Sequence, residues 1–311
     1  MKTGFMFILL VVIVLAAMGS LTGCARFNTI IYDHAEHYSS GDAEFTDKIE
    51  NIEVDWVSGS VSVVSHPGNT VVLSEKAEGS IPEDLHVHWW LEGTTLHVRF
   101  AESGASLRII DAWRKNLTLA VPEDFALEDI TIRTASAGID AGGLTAETLR
   151  VTTTSGDMNI DCAAEDIELN GVSGSIQLNQ RDNADEIRIA TTSGDIHANL
   201  SHAETVDIAS VSGRITVKGA SADAISAKTT SGDVSCALEA TPSECDFHSV
   251  SGAIALRLPQ NAEFTARVHS TSGDFESDFA LEKDGRTYTC GNGGADMEIS
   301  TTSGDISIRK N

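Results

Sequence analysis

The side chains in this chain with chemical potential belong mostly to one recurring phrase. Thr-Ser-Gly-Asp stands at 154–157, 192–195, 230–233, 271–274 and 302–305, which puts Asp157, Asp195, Asp233, Asp274 and Asp305 at one equivalent position. Carboxylates at a fixed interval hold Ca²⁺ only where their oxygens reach ~2.3–2.6 Å from one ion. In the intervening copies the position carries Ser175, Arg214 and Ala253. If each copy fills one coil, aspartates in alternate copies lie ~10 Å apart, too far to share an ion. Asp195 and Asp233 are the weak metal candidates, with Arg214 between them, and the glycine-rich calcium nonapeptide is absent. Architecture is the favoured reading of the phrase.

Histidine and cysteine offer the other chemistry. His86 and His88 share one face of an apolar stretch, and His97 follows across a short turn. Three histidines without a carboxylate or thiol at ligand spacing make a poor metal signature. Cys162, Cys236 and Cys245 fall at inward positions of the pattern described next, where a thiol behaves as a small hydrophobe. A Cys236–Cys245 bridge is the alternative in an oxidising compartment, and Cys290 has no obvious partner. No G-x-S-x-G, H-E-x-x-H or phosphate loop occurs. Neither a catalytic residue nor a cofactor is expected.

The elements that carry these residues repeat. Taking the glycine of the phrase as marker gives Ala137 (a degenerate copy), Gly156, Gly174, Gly194, Gly213, Gly232, Gly252, Gly273 and Gly304, at steps of 19, 18, 20, 19, 19, 20, 21 and 31. Seven and five residues before the marker, and two and four after it, the residue is almost always Ile, Val, Leu, Ala, Met, Phe or Cys. Apolar side chains at every second residue make a strand with one buried face. Each unit reads as strand, tight corner, strand and polar connection. A unit this short cannot bury its own apolar face, whereas stacked copies can. The glycines are then corners whose conformation is closed to a β-carbon, and the flanking Ser and Asp bond local backbone amides. The same four offsets around Gly59 predict an early coil at 48–64.

The repeated TTSGD and VSG phrases, with VPEDFALEDITI at 121–132, resemble the bacterial "putative adhesin" family of envelope-associated β-solenoids over roughly residues 48–311. That resemblance implies an all-β, right-handed parallel β-helix at the cell surface or in the envelope, and it transfers no catalytic residues. The expected organisation is a signal peptide over 1–23, a tether over 24–47, a β-rich region or cap over 48–125 and solenoid repeats over 126–311. LHVHWW and LHVRF, joined by LEGTT, read as a hairpin whose tryptophans cover an open solenoid end. Residues 282–297 are an excursion, a loop or hairpin at the side of the stack.

At the N-terminus, Lys2 and the apolar run 5–19 precede Leu-Thr-Gly-Cys. The run is short for a membrane span and suits a signal peptide core. LTGC resembles the bacterial lipobox, which implies lipidation of Cys24 and an exported, membrane-anchored chain. The formal charge of −25 argues against nucleic acid and anionic headgroups as partners. Three readings follow: a non-enzymatic envelope lipoprotein binding a glycan or protein surface, a regulatory or scaffolding component of an envelope-stress pathway, and a carbohydrate-active enzyme on a β-helix.

Overall fold

The computed structural model describes residues 29–106, 114–125 and 127–311. The expected signal peptide and its Cys24 lie outside the described residues. The fold is all-β: among the described residues, helix is confined to two 3-10 turns, Ala35–His37 and Glu83–Leu85. None is long and apolar enough to cross a membrane. Contacts divide the chain into two units, one of residues 1–164 with 169–173 and one of 165–168 with 174–311.

In the second unit the strands form two parallel ladders. One runs Ala184–Ser193, His202–Ser212, the later half of Ile215–Ser231, Glu244–Ser251, Ala295–Ser303 and Phe264–Ser272. The other runs Ile176–Gln180, Ile196–Asn199, the early half of 215–231, Val234–Leu238, Ile254–Leu258, Ile306–Lys310 and Phe275–Ser277. Pairing falls at the repeat interval, as in Ile187 with Val206, Val206 with Ile225 and Ile215 with Val234. Side chains alternate inward and outward, so Ile187, Val206, Ile225, Cys245, Met297 and Ala266 form one buried row and Ile189, Ile208, Ala227, Phe247, Ile299 and Val268 another.

The order of layers is not the order of the chain. The last repeat, 295–310, sits between the repeats at 244–258 and 264–277. The excursion is the device that makes this possible. Its hairpin, Glu282–Asp284 with Thr287–Cys290, lies antiparallel against Phe264–Ser272 and so extends the end of one ladder rather than its side.

The first unit is built the same way. Asn51–Trp56 pairs in parallel with both Thr95–Arg99 and Leu127–Thr134, and Gly59–His66 pairs with both Lys115–Pro122 and the start of Gly138–Ser155. The stretch around Gly59 is therefore a layer in register with the degenerate copy, Ile52 opposite Ile130 and Val61 opposite Ile139. Antiparallel strands finish this unit: His88–Glu92 on Thr95–Arg99, and Val71–Ala77 on Lys115–Pro122. The expected hairpin thus forms. Its Trp89 meets Phe45 edge-on at 4.9 Å, and the tryptophan filling the core is Trp56 instead.

Residues 39–47 are not a bare tether. Ser39–Ser40 and Ala43–Phe45 are strands paired to His88–Glu92 and Val71–Ala77, and Phe45 is buried. Strands of two and three residues are too short to show alternation in sequence.

Candidate functional site

The recurring phrase builds one corner of the stack, and its glycines are there for space. A β-carbon on Gly194 would lie 1.9 Å from the carbonyl oxygen of Gly174 in the layer below, and one on Gly213 would lie 2.0 Å from that of Gly194. The same clash recurs at 2.0–2.2 Å for Gly156, Gly232, Gly252, Gly273 and Gly304. Gly174 itself stands at φ 121° and Gly194 at 152°. Close approach of successive backbones is the main requirement, and backbone conformation is secondary. This refines the expectation that the turn conformation alone excludes a side chain.

Three of the aspartates bond across layers, not within their own turn. Asp195 Oδ1 accepts the backbone N–H of Arg214 at 2.8 Å, Asp233 that of Ala253 at 3.0 Å and Asp305 that of Asp274 at 2.9 Å. Each carboxylate thus ties its corner to the equivalent residue of the next layer. Arg214 lies in the layer between Asp195 and Asp233, its guanidinium 3.9 Å from Asp233.

A second row went unseen in the sequence. Three residues before the marker stand Thr134, Thr153, Thr191, Ser210, Thr229, Ser249 and Thr301, all buried. Three hydroxyls at this offset meet the glycine carbonyls of the layer below: Ser249 donates to Gly232 O at 3.2 Å, Thr301 to Gly252 O at 3.1 Å and the half-buried Ser270 to Gly304 O at 3.1 Å. These serve backbone acceptors that the corner takes out of the regular ladder. Thr191 Oγ1 and Ser210 Oγ are buried without a hydrogen-bond partner. The signal was present, because this position continues the inward alternation of the two apolar positions before it.

Outside the corner runs an unbroken edge of hydroxyls. Ser193, Ser212, Ser231, Ser251, Ser303 and Ser272 are paired layer to layer and all exposed. Six positions at the interstrand spacing span about 24 Å. Beside them stand Thr192, Val211, Thr230, Val250, Thr302 and Thr271 on one flank, and the phrase aspartates on the other. At another place in the same unit, Asn179, Asn199, Lys218, His202, Ser221 and Glu239 line an open polar cleft of about 510 Å³.

The three histidines singled out in sequence do not converge on a common point. His86 Nδ1 pairs with Glu75 Oε2 at 3.0 Å, His88 Nδ1 with the carbonyl of His86 at 2.8 Å, and His97 Nδ1 with Glu53 Oε2 at 2.8 Å. The bond from His97, with Arg99 and Arg133 close by, holds the Glu53 carboxyl down at about 2. Over these strands lies a segment that sequence gave no reason to fix. Tyr32 and Tyr38 stack at 6.2 Å, and the Arg99 guanidinium lies over both rings, 5.5 and 5.8 Å from their centres. Burial pushes the Tyr32 phenol well up.

The first unit also encloses a lysine. Lys115 has no exposed surface; its Nζ lies 2.5 Å from Glu75 Oε1, bonds the carbonyls of Leu85 and Phe100, and sits over the Trp56 and Phe100 rings. Burial lowers its ammonium to about 8. Its own carbonyl accepts Trp56 Nε1–H at 3.1 Å. Cys162, Cys236 and Cys245 are buried, so the favoured core role is what the structure has, and no Cys236–Cys245 bridge is formed. Burial pushes the Cys245 thiol up to about 12 and holds the Cys236 thiol well above its ordinary value.

The family model for Toastrack DUF4097 matches residues 49–309. The chain belongs to that family. A solved structure named a "putative lipid binding protein", from Parabacteroides distasonis ATCC 8503, is similar at TM-score 0.52 and 13% identity, covering 88% of this chain and 97% of that one. Two named "putative adhesin" are similar at lower TM-scores. That from Bacteroides fragilis NCTC 9343 gives 0.40 at 15% identity over 88% of this chain and 97% of its own. That from Parabacteroides merdae ATCC 43184 gives 0.43 at 12% over 92% and 100%. No curated protein matches the chain. At such identities the first of these likenesses speaks for a shared Toastrack fold and nothing more.

Proposed function

We propose that this Toastrack protein is a non-enzymatic, lipid-anchored component of the bacterial envelope, a right-handed β-solenoid with coils of ~19 residues that holds an extended, repetitive partner along its hydroxyl edge. The observation that carries the reading is the register of the six exposed serines. Identical hydroxyls in successive layers present the same donor and acceptor every ~4.8 Å. An envelope glycan or a regular protein surface can match such a row through many weak contacts in series. Asp195, Asp233 and Asp305 on its flank already accept one backbone N–H each, so they are held in place with further lone pairs available. The lipobox resemblance supplies the anchor through Cys24, and the adhesin resemblance agrees with surface binding.

The test is cosedimentation of the full chain with purified envelope polysaccharide, comparing wild type with Ser212→Lys/Ser251→Lys. Both substitutions are exposed, and binding is expected to fall at least tenfold with folding intact. Undiminished binding by the variant refutes the edge as the binding surface. The anchor has its own test: mass spectrometry of the wild-type mature terminus is expected to find a lipidated Cys24, absent in Cys24→Ala.

A regulatory or scaffolding role is the second reading, favoured by the Tyr32, Tyr38, Trp90 and Arg99 cluster on the first unit. Loss of partner capture on Tyr38→Ala, with the serine variant unaffected, would select it.

A further inference from the structure

We infer that the turn at His34–His37 is a binding site for a borderline divalent transition ion, of which Zn²⁺ is the practical probe. His34, Glu36 and His37 each offer a ligand atom, and these atoms all lie within 4.8 Å of one another. Two ligands ~2.1 Å from a tetrahedral ion stand ~3.4 Å apart. His37 Nε2 and Glu36 Oε1 are already 3.7 Å apart, so ion binding needs only small side-chain adjustments. Two imidazoles and one carboxylate form a set that Mg²⁺ and Ca²⁺ disfavour and Zn²⁺ accepts, with water completing the shell.

The turn is held in place on both sides. The Tyr32 N–H donates to Ser103 Oγ at 3.0 Å, and Ser39 and Ser40 pair with Trp89 and His88. Between these anchors the His37 N–H closes the turn on the His34 carbonyl at 3.0 Å. The His37 ring stacks on Trp90 at 5.1 Å and 24°, with His34 5.7 Å from the same indole. Trp90 also meets Tyr38 edge-on at 5.8 Å and His97 at 5.3 Å and 26°. A fixed aromatic wall orients the imidazoles as outer-shell partners do in metal sites. An ordered turn loses less freedom on binding than a mobile one.

The experiment is calorimetric titration of untagged, full-length protein in detergent micelles, stripped by chelator and then supplied with ZnCl₂. One Zn²⁺ per chain is expected at pH 7.5, with affinity at least tenfold weaker in His34→Ala and in His37→Ala and unchanged in His269→Ala, which lies in the other unit. The ion should also raise the unfolding temperature of the wild type, where Mg²⁺ does not. Equal stoichiometry and affinity in the His34→Ala/His37→Ala double variant overturns the assignment, as does absence of binding in the folded wild type.

Discussion

Alanine at Gly194 is a sharp probe of how the layers are joined. Its β-carbon would stand 1.9 Å from Gly174 O and 2.8 Å from Gly174 C, where carbon contacts need ~3.5 Å or more. Both obstacles are backbone, so relief requires the layers to part locally by more than ~1 Å. The bonds flanking that point are Gly174 N–H to Ser193 O at 3.2 Å and Ile176 N–H to Asp195 O at 2.9 Å. Stretched by that amount, neither remains a hydrogen bond. Two bonds at ~0.5–1.5 kcal/mol each, with local strain added, give a cost of about 2–4 kcal/mol. For a chain of this size that lowers Tm by roughly 3–6 °C. Gly79→Ala is the matched control: Gly79 has φ +86° but nothing within 4 Å of an added β-carbon, so it loses only ~1 kcal/mol of conformational energy. Asp195→Asn should cost less than either, because an amide oxygen still accepts the Arg214 N–H. Urea and thermal unfolding of the three variants, with and without EDTA, decide the matter. A Gly194→Ala midpoint equal to that of Gly79→Ala would refute the close-approach argument. EDTA should shift wild type and Asp195→Asn equally, whereas a chelator effect confined to wild type would restore Asp195 as a metal ligand.

Three further outcomes follow from the same geometry. Thr301→Val removes a 3.1 Å bond to Gly252 O and should destabilise by ~1 kcal/mol, while Thr191→Val replaces a buried hydroxyl that has no partner and should be neutral or stabilising; paired denaturation curves check both. Lys115 titrates near 8 folded and near 10.5 unfolded, so between pH 8 and 10 the unfolded chain binds more protons and stability should rise with pH, by ~2 kcal/mol, a rise absent in Lys115→Met measured by urea melts across that range. Alkylation of the native protein followed by mass spectrometry should modify the half-buried Cys290 well before Cys162, Cys236 and Cys245, and equal rates would contradict their burial.

Much of the core was legible because it obeys a period. Ile187, Val206 and Ile225 could be aligned from spacing alone, and the structure stacks them in that register. The buried Thr and Ser row was hidden by chemistry, since a hydroxyl between polar residues reads as surface until its acceptor is known. The His34 turn, Tyr32 and Lys115 were hidden by singularity. Lys115 sits among basic and polar residues in sequence, and only the fold brings Glu75, Leu85 and Phe100 around its ammonium from 15 to 40 positions away. Periodicity reports the environments that recur, whereas a site made of unique long-range contacts leaves no such trace.

The permuted order of layers shows a limit of a different kind. Repeats with equivalent faces are interchangeable to any pattern, so spacing assigns a strand to a coil without saying which coil is its neighbour. Physical chemistry narrows the choice. A parallel ladder that ends in a long bare strand offers unpaired N–H and C=O groups to other chains. In the second unit the chain's last strands, Ala295–Ser303 and Ile306–Lys310, are placed inside their ladders, bonded on both sides. The exposed positions fall to the short Phe275–Ser277 and to a hairpin whose outer strand, Glu282–Asp284, is fully exposed and carries Glu282, Lys283 and Asp284. The first unit likewise places antiparallel strands of two and three residues outermost, Ser39–Ser40 and Ala43–Phe45. In both units the long regular strands are kept internal and the edges are short, antiparallel or charged. The step of 31 before the last marker is therefore the length needed to turn back, cover an edge and enter the ladder one layer in.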